Sequence, residues 1–209
     1  MISSEGWIRH RPKIFIIKMK GWTRSMTWRG TGLKWVPTSP NIPHGDSPLH
    51  YVSTGVLGEL GAGSRLSIGI GEGMPFECVA STWMNATGIA LQLNNRRLPG
   101  VRFEPIRFKS RRVKDRTYKG VRIRFTNPAT APLMAINYHI LDALRAVAKR
   151  DIFATRVKSG HSFNMFDKVN GTDSIRRDLA AGRSGAAIVK SWAGDEARFR
   201  QQRAKYLLY

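Results

Sequence analysis

LKWVPTSPNIPHGDSPLHYVSTGVLGELGAGSRLSIGIGEGMPFE, residues Leu33 to Glu77, is the part of the chain around which the rest can be understood. Its first half contains four prolines: Pro37, Pro40, Pro43 and Pro48. Each proline fixes φ and removes a backbone donor, so this half is predicted to be extended and turn-rich, without helix. Its second half contains seven glycines: Gly55, Gly58, Gly61, Gly63, Gly69, Gly71 and Gly73. That density disfavours a helix or a long strand, which predicts a long Pro/Gly-rich loop region.

The same stretch carries acidic, amide and aromatic side chains. They are Asp46, Glu59, Glu72 and Glu77, together with Trp35, Asn41 and Tyr51. Binding residues are found disproportionately on loops that a rigid scaffold holds in place. The stretch is therefore predicted to form the rim of a binding site.

Six motifs along the chain occur in an order that resembles a known family. They are TGLKWVPTSPNIP (31–43), GVLGELG (55–61), LSIGIGEGMPFE (66–77), LPGVRFEPIRFK (98–109), MFDKVNGTDSIR (165–176) and RAKYLLY (203–209). Together they resemble the C-terminal half of the DUF1343 family, whose characterised members are exo-β-N-acetylmuramidases acting on peptidoglycan fragments. The resemblance covers residues 13–209, read as one C-terminal domain, and leaves residues 1–12 as an unmatched segment. It implies that the family's Rossmann-like N-terminal domain is missing here.

The chain departs from the family pattern in the glycine-rich motif. Many members have SEGRGTTRPFE where this chain has SIGIGEGMPFE, so that their glutamate and two arginines are replaced by Ile68, Ile70 and Met74. In addition, Ser64 and Arg65 resemble a small insertion after GELGAG. With GELG followed by SIGIG and PFE, the chain resembles a branch of the family that lacks these charged residues.

Glu59 and Glu77 are the predicted catalytic pair. Glycoside hydrolysis needs a proton donor and a second carboxylate roughly 5–9 Å apart. Glu59 lies among glycines, where a carboxylate has little structural work to do, whereas Glu77 could equally cap a helix or form a salt bridge. The resemblance further implies that the cleft lies between two domains and that much of the acid–base work belongs to the missing one.

This half of the protein would then supply one wall of the sugar-binding cleft, for a muramyl sugar or peptidoglycan fragment. Asn41, Asp46 and Tyr51 are predicted to form hydrogen bonds with the sugar, and Trp35 to stack on it. Trp35 could equally be a core anchor, the commoner role of a tryptophan. A separate Rossmann-like domain is the protein partner that the resemblance implies.

No metal site or cofactor is predicted. His44, Asp46 and His50 are only loosely spaced, and the sequence contains no HExxH motif. The GxGxG at residues 69–73 lacks the rest of a dinucleotide fingerprint. The lone Cys78 excludes an internal disulfide and is interpreted as a small buried hydrophobe.

The charge balance suggests a second class of function. The chain has 35 Lys and Arg residues against 14 Asp and Glu residues, a net charge of +21. The alternative hypothesis is accordingly a basic binding module for an anionic polymer, cell-wall glycan or nucleic acid, without catalysis. Because the basic residues are scattered and no nucleic-acid motif accompanies them, nucleic acid is expected to bind only non-specifically. A non-functional gene fragment is the third hypothesis.

The sequence does not predict a compartment. It contains no run of eighteen apolar residues, and the N-terminus MISSEGWIRHRPK lacks the pattern of a signal peptide. Neither a membrane span nor a membrane partner is therefore expected.

Hydrophobic periodicity predicts an α+β fold, a small antiparallel or mixed sheet with flanking helices. The predicted strands are residues 13–19, buried on both faces, and the antiparallel pair 101–109 and 120–125. The predicted helices are residues 82–95, a long helix after Pro132, one starting at Thr172 or Asp173, and two covering 187–192 and 195–205. The basic side chains of the strand pair, Arg102, Arg107, Lys109, Arg122 and Arg124, are predicted to share the outer face. That face is either solvated or in contact with an anionic ligand.

Overall fold

The computed structural model describes residues 1–60, 64–149, 152–153 and 162–209. Gly61 and Gly63 of the predicted loop lie outside these ranges. In chain order the elements are a 3-10 turn (Trp28–Thr31), α1 (Ser47–Gly58), β1 (Cys78–Ser81), α2 (Ala86–Asn94), β2 (Val101–Lys109), β3 (Thr117–Phe125), α3 (Leu133–Ala148), α4 (Asn164–Asn170), α5 (Ser174–Ala180), α6 (Gly185–Ser191) and α7 (Ala193–Ala204). The predicted α+β class is confirmed.

The sheet has three antiparallel strands in the order β1-β3-β2. β2 and β3 pair along their whole length, from Val101 opposite Phe125 to Lys109 opposite Thr117. β1 can lie close to β3 because Gly120 has no side chain: a Cβ there would be 2.1 Å from the Val79 carbonyl oxygen. The predicted pair of strands is thus confirmed, with β3 starting three residues before Gly120.

The prediction that five basic side chains share the outer face of the sheet is wrong for Arg107 and Lys109. Side chains alternate along an unbroken strand, so Arg102 and Arg107, five positions apart, lie on opposite faces. On the outer face, Arg124 forms an ion pair with Glu104 of the neighbouring strand at 2.8 Å. A carboxylate of the chain itself therefore accounts for part of the positive charge on this face.

The core lies between one face of the sheet and the helices α1, α2 and α3, with α1 and α2 both packed against α3. The fully buried aliphatic side chains that join these elements are Leu57, Ile89, Leu93, Ile123, Ile136, Ile140 and Leu144. The predicted helices are confirmed in α2, α3, α5, α6 and α7. α2 begins four residues later than predicted, because the Asn85 side chain accepts a hydrogen bond from the Gly88 N–H and caps the helix there.

Helix α1 corrects the prediction of a continuous loop over residues 33–77. Pro48 lies in its first turn, where a backbone N–H has no helical partner to lose. Val56 and Leu57 are buried against the core, which stabilises the helix despite its two glycines. Gly58 also allows close packing, since a Cβ there would lie 2.6 Å from the Ile68 Cδ1. Tertiary packing has outweighed the low helix propensity of this segment.

The predicted strand at residues 13–19 is also wrong: this segment contains no strand. Phe15 is 91% exposed and Ile17 is 96% exposed. An extended segment becomes a strand only when another strand satisfies its backbone groups, and none of the described residues does so here. At the end of the segment, the Met19 N–H donates a hydrogen bond to the Tyr209 hydroxyl at 2.6 Å, so the C-terminal residue contacts the end of this segment.

None of the helices in the described ranges has both the length and the hydropathy that a membrane crossing requires.

Candidate functional site

Two cavities at opposite ends of α1 contain most of the predicted site residues. The Glu59 cavity, about 530 Å³, lies at the C-terminal end and is lined by Tyr51, Gly55, Gly58, Glu59, Leu66, Ser67, Ile68, Ile70, Glu72, Phe76, Arg112, Val113 and Tyr118. The His50 cavity, about 580 Å³, lies at the N-terminal end. It is lined by Thr27, Arg29, His44, Asp46, Ser47, Leu49, His50, Glu77, Arg122, Ile123, Arg124, Phe125 and Pro128.

Glu59 is the residue that directly follows α1, where the helix ends. Its side chain is half-buried, and no described side chain or backbone group forms a hydrogen bond or ion pair with its carboxylate. Ile68 and Ile70 give the same cavity an apolar wall. A carboxylate that no described residue binds is available to exchange a proton with a ligand.

Tyr51 lines the Glu59 cavity as well. Its side chain is half exposed, and its ring packs edge-on against Phe76 with 4.6 Å between the ring centroids. The structure therefore brings one predicted sugar-binding residue, Tyr51, to the same cavity as one predicted catalytic residue, Glu59.

Glu72 holds the loop between β2 and β3 over this cavity. Its side chain is 5% exposed, and its carboxylate accepts hydrogen bonds from the Ser110 hydroxyl at 2.7 Å and from the Arg111 N–H at 2.6 Å. Buried carboxylates require such partners, because an unpaired buried charge is costly. Glu72 thus fixes the backbone from which Arg112 reaches the cavity.

The sequence predicts Glu72 to be part of the rim of the binding site but assigns no specific role to it. A functional role is nevertheless indicated, because Glu72 lies between Gly71 and Gly73 and so has the same glycine-rich context as Glu59. Both glycines have positive φ, and both lie against arginines of the β2–β3 loop. A Cβ on Gly71 would lie 2.5 Å from the Arg112 Cδ, and the φ of 75° at this position favours glycine.

In the His50 cavity both predicted acids are bound to arginines. Asp46 forms an ion pair with Arg29 at 2.8 Å. Glu77 accepts hydrogen bonds from two nitrogens of Arg122, Nη2 at 2.5 Å and Nε at 3.1 Å. Glu77 therefore has the salt-bridge role that was the alternative to catalysis, while Asp46 lies immediately before α1.

His50 lies between these ion pairs. Burial lowers its pKa from the ordinary 6.5, Arg122 and Arg124 act in the same direction, and Glu77 and Asp46 oppose them. Its Nδ1 is buried and has no hydrogen-bond partner among the residues that the structure describes. The imidazole is therefore held in its neutral form in the folded protein.

Stability is expected to depend on pH through His50. The unfolded chain takes up a proton near pH 6.5, whereas the folded chain does so only at lower pH. The contribution of neutral His50 to the free energy of unfolding should thus be complete above pH 6.5. It should decrease as the pH falls towards the lower pKa of the folded state. Urea unfolding of the wild type and of His50→Gln between about pH 5 and 7 measures this, and the variant should show the shallower dependence. The pKa of His139 is also lowered by burial, so part of the pH dependence of stability should remain in both the wild type and the variant. Identical slopes would contradict the assignment.

Trp35 and Asn41 line neither cavity. Trp35 is half-buried: its ring packs edge-on against Trp28 at 5.1 Å, and its Nε1 donates a hydrogen bond to the Ile42 carbonyl at 3.1 Å. Asn41 is exposed, and its backbone N–H donates to the Ser39 hydroxyl.

The six predicted site residues are therefore not one cluster. Asp46 and Glu59 are separated by the length of α1, roughly 20 Å at 1.5 Å per residue. Glu77 interacts with His50 near the start of that helix, whereas Glu59 follows its end. Glu59 and Glu77 thus line different cavities, and the structure does not bring them together as a pair.

Within the described residues no group of three or more His, Cys, Asp or Glu side chains is placed to hold a metal ion. Cys78 is fully buried, as predicted, and burial raises its pKa to about 12. Its thiol is thus protonated at neutral pH and is not a nucleophile.

Comparison with known proteins gives similarity over the whole chain. A family model described as the C-terminal part of the exo-β-N-acetylmuramidase NamZ matches residues 49–209, and the corresponding N-terminal model matches residues 1–46. The chain is 28% identical over 196 residues to the peptidoglycan β-N-acetylmuramidase NamZ of Bacillus subtilis (strain 168), covering 93% of this chain and 45% of that protein.

A crystal structure of a DUF1343 family protein from Bacteroides fragilis NCTC 9343 is similar in fold. The TM-score is 0.85 at 32% identity, over 100% of this chain and 54% of that one. The chain therefore spans about half the length of the relatives it matches. The two family models meet between residues 46 and 49, and the domain boundary near Lys13 stays a prediction.

Proposed function

Because the chain belongs to the exo-β-N-acetylmuramidase NamZ family, we propose that it forms one wall of a cleft for muramyl sugars of peptidoglycan and supplies Glu59 to that cleft. The observation that carries the proposal is the position of Glu59. Its carboxylate has no partner among the described residues and lies in a cavity that also contains aromatic, apolar and guanidinium groups. Ligand sites typically combine an apolar lining with a few polar groups that fix orientation.

The chemistry of the Glu59 cavity suits a muramyl residue. Tyr51 and Tyr118 offer aromatic surface to a sugar ring, and Ile68 and Ile70 offer apolar surface to its methyl groups. The guanidinium of Arg112 can form a paired hydrogen bond with the lactyl carboxylate that distinguishes muramic acid from glucosamine. These contacts would orient the glycosidic oxygen towards Glu59.

In this cleft Glu59 would exchange a proton with the glycosidic oxygen or with the attacking water. Hydrolysis needs a second carboxylate roughly 5–9 Å away. Glu77 is bound to Arg122 in the other cavity, so the second acid is proposed to come from a Rossmann-like domain outside the present chain. The chain alone would then be inactive, and Trp35, Asn41 and Asp46 stay proposals as contacts with the sugar.

Residues 13–19 support the need for such a partner domain. They match the N-terminal family model, and their apolar side chains remain exposed to solvent. An extended apolar segment of this kind pairs readily with the edge of a sheet. Family membership does not favour the alternative of a binding module without catalysis.

Reconstitution tests the proposal. The chain is expected to give no turnover of a chromogenic N-acetylmuramide by itself, and measurable turnover when it is mixed with the N-terminal domain of a NamZ relative. The isolated N-terminal domain serves as the control, and release of the chromophore is the measurement. Turnover by this chain alone that survives the substitution Glu59→Gln would overturn the assigned roles.

A further inference from the structure

A second depression adjoins the Glu59 cavity and has a different chemical character. This arginine cavity, about 650 Å³, is lined by Arg65, Leu66, Thr82, Arg112, Arg116 and Tyr118. Leu66, Arg112 and Tyr118 line both cavities, so the two are neighbours along one surface. A ligand bound beside Glu59 can therefore extend into the arginine cavity.

The arginine cavity contains three guanidinium groups, and none of its described lining residues is acidic. The guanidinium groups of Arg65, Arg112 and Arg116 form no ion pair and no hydrogen bond with any residue in the described ranges. Elsewhere the chain neutralises arginines in this way: Arg122 is bound to Glu77 and Arg124 to Glu104. Like charges gathered without a counter-charge repel one another and attract an anion.

Arg65 has a backbone conformation that suggests selection for its position. Its φ is 54°, in the left-handed region that residues other than glycine seldom adopt. Its carbonyl oxygen accepts a hydrogen bond from the buried Ser81 hydroxyl at 2.8 Å, which holds this conformation. Residues kept in such conformations by their surroundings are concentrated at functional sites. Arg65 is also one of the two residues that resemble a small insertion relative to the family pattern.

We propose that the arginine cavity is an oxyanion subsite, which binds a negative group that a muramyl ligand carries in addition to its lactyl carboxylate. This inference rests on the proposed function of the Glu59 cavity. Arg112 lines both cavities and is sufficient to bind one carboxylate. Arg65 and Arg116 line only the arginine cavity and are available for a further anion. Arginine binds carboxylate and phosphate alike through paired hydrogen bonds. The additional anion is therefore a phosphate on the sugar or a carboxylate of a peptide joined to the lactyl group.

Ligand titrations of the 209-residue chain followed by NMR test the subsite and identify the source of the anion. The probes are N-acetylglucosamine, N-acetylmuramic acid, N-acetylmuramic acid 6-phosphate and N-acetylmuramyl-L-alanyl-D-isoglutamine, at one ionic strength. We expect the 6-phosphate or the dipeptide derivative to bind about tenfold more tightly than N-acetylmuramic acid, the effect of one good additional contact. Whichever of the two binds more tightly identifies the anion.

The double substitution Arg65→Ala/Arg116→Ala should abolish this gain and leave the affinity for N-acetylmuramic acid unchanged. The matched control is Arg102→Ala/Arg107→Ala, which removes the same charge from two exposed side chains on β2 that do not line the arginine cavity. Equal affinity for the three muramyl ligands, or an equal loss in the control, would overturn the subsite.

Inorganic pyrophosphate separates the failure of the subsite from the failure of the proposed function. If no sugar binds, the proposed function is wrong. If the wild type and the control variant then still bind pyrophosphate while Arg65→Ala/Arg116→Ala does not, that result would still support an anion subsite. Absence of pyrophosphate binding as well would overturn both.

Discussion

The substitution Glu59→Gln is expected to lower kcat for muramide hydrolysis by about 10²–10⁴-fold in the reconstituted enzyme, the range typical of a lost general acid or base. Glutamine keeps the shape of the side chain and cannot exchange the proton. No hydrogen bond or ion pair to the described residues is lost, so the folded chain should be as stable as the wild type. KM should change little, because the contacts with the sugar are retained.

Steady-state rates on a chromogenic N-acetylmuramide, with circular dichroism to monitor folding, measure this effect. Glu196→Gln is the matched control, since Glu196 lies on α7 and its side chain is largely exposed. A Glu59→Gln enzyme with wild-type kcat would remove Glu59 from the chemistry and leave the position of the cleft open.

The substitution Glu72→Ala is expected to lower the free energy of unfolding by about 1–3 kcal/mol, the cost of leaving buried hydrogen-bonding groups unsatisfied. The Ser110 hydroxyl and the Arg111 N–H would both lose their acceptor. Because the loop that they hold also carries Arg112, affinity for N-acetylmuramic acid should fall in the same variant.

Urea unfolding and a sugar titration on one preparation measure the two effects. Glu104→Ala is the comparison: it removes an acid whose ion pair with Arg124 is exposed, and it should cost less than about 1 kcal/mol. Equal destabilisation by the two substitutions would show that Glu72 has no special part in holding the loop.

Much of the fold could be predicted because several segments have a period that fits only one secondary structure. The buried residues of α3, such as Ile136, Ile140 and Leu144, repeat at helical spacing. β2 shows clean alternation only at Val101 and Phe103. Beyond Phe103 the apolar residues move to even positions, so the side chains of Phe103 and Ile106 point to opposite sides of the sheet.

Two segments were mispredicted because local composition was given more weight than tertiary context. In α1 the glycines suggested a loop, but packing of Leu57 into the core outweighs their low helix propensity. Residues 13–19 have the composition of a buried strand, but none of the strands in the described ranges pairs with them. Sequence pattern reports what a segment favours, whereas the neighbouring elements decide whether it can adopt that structure.

The candidate site could be predicted only in part. The glycine context indicated that Glu59 was not a structural residue, and the structure gives it no partner in the described chain. The distance between Glu59 and Glu77 could not be predicted, because helix α1 lies between the two cavities and was interpreted as loop. Arg65 and Arg116, 51 positions apart in sequence, line one cavity through the pairing of distant segments, which no local pattern reveals.

Phe15 and Ile17 remain almost wholly in contact with water after the rest of the chain has folded. Full burial of such a side chain is worth about 1.5–3 kcal/mol, and the folding of the described chain has not released that free energy. A surface that covers both side chains releases this free energy on contact. It does not have to displace other contacts of Phe15 and Ile17, because both side chains are almost fully exposed. Their exposure thus gives residues 13–19 a thermodynamic tendency to associate. A companion domain would cover this segment, and a second copy of the chain would compete with that domain for it.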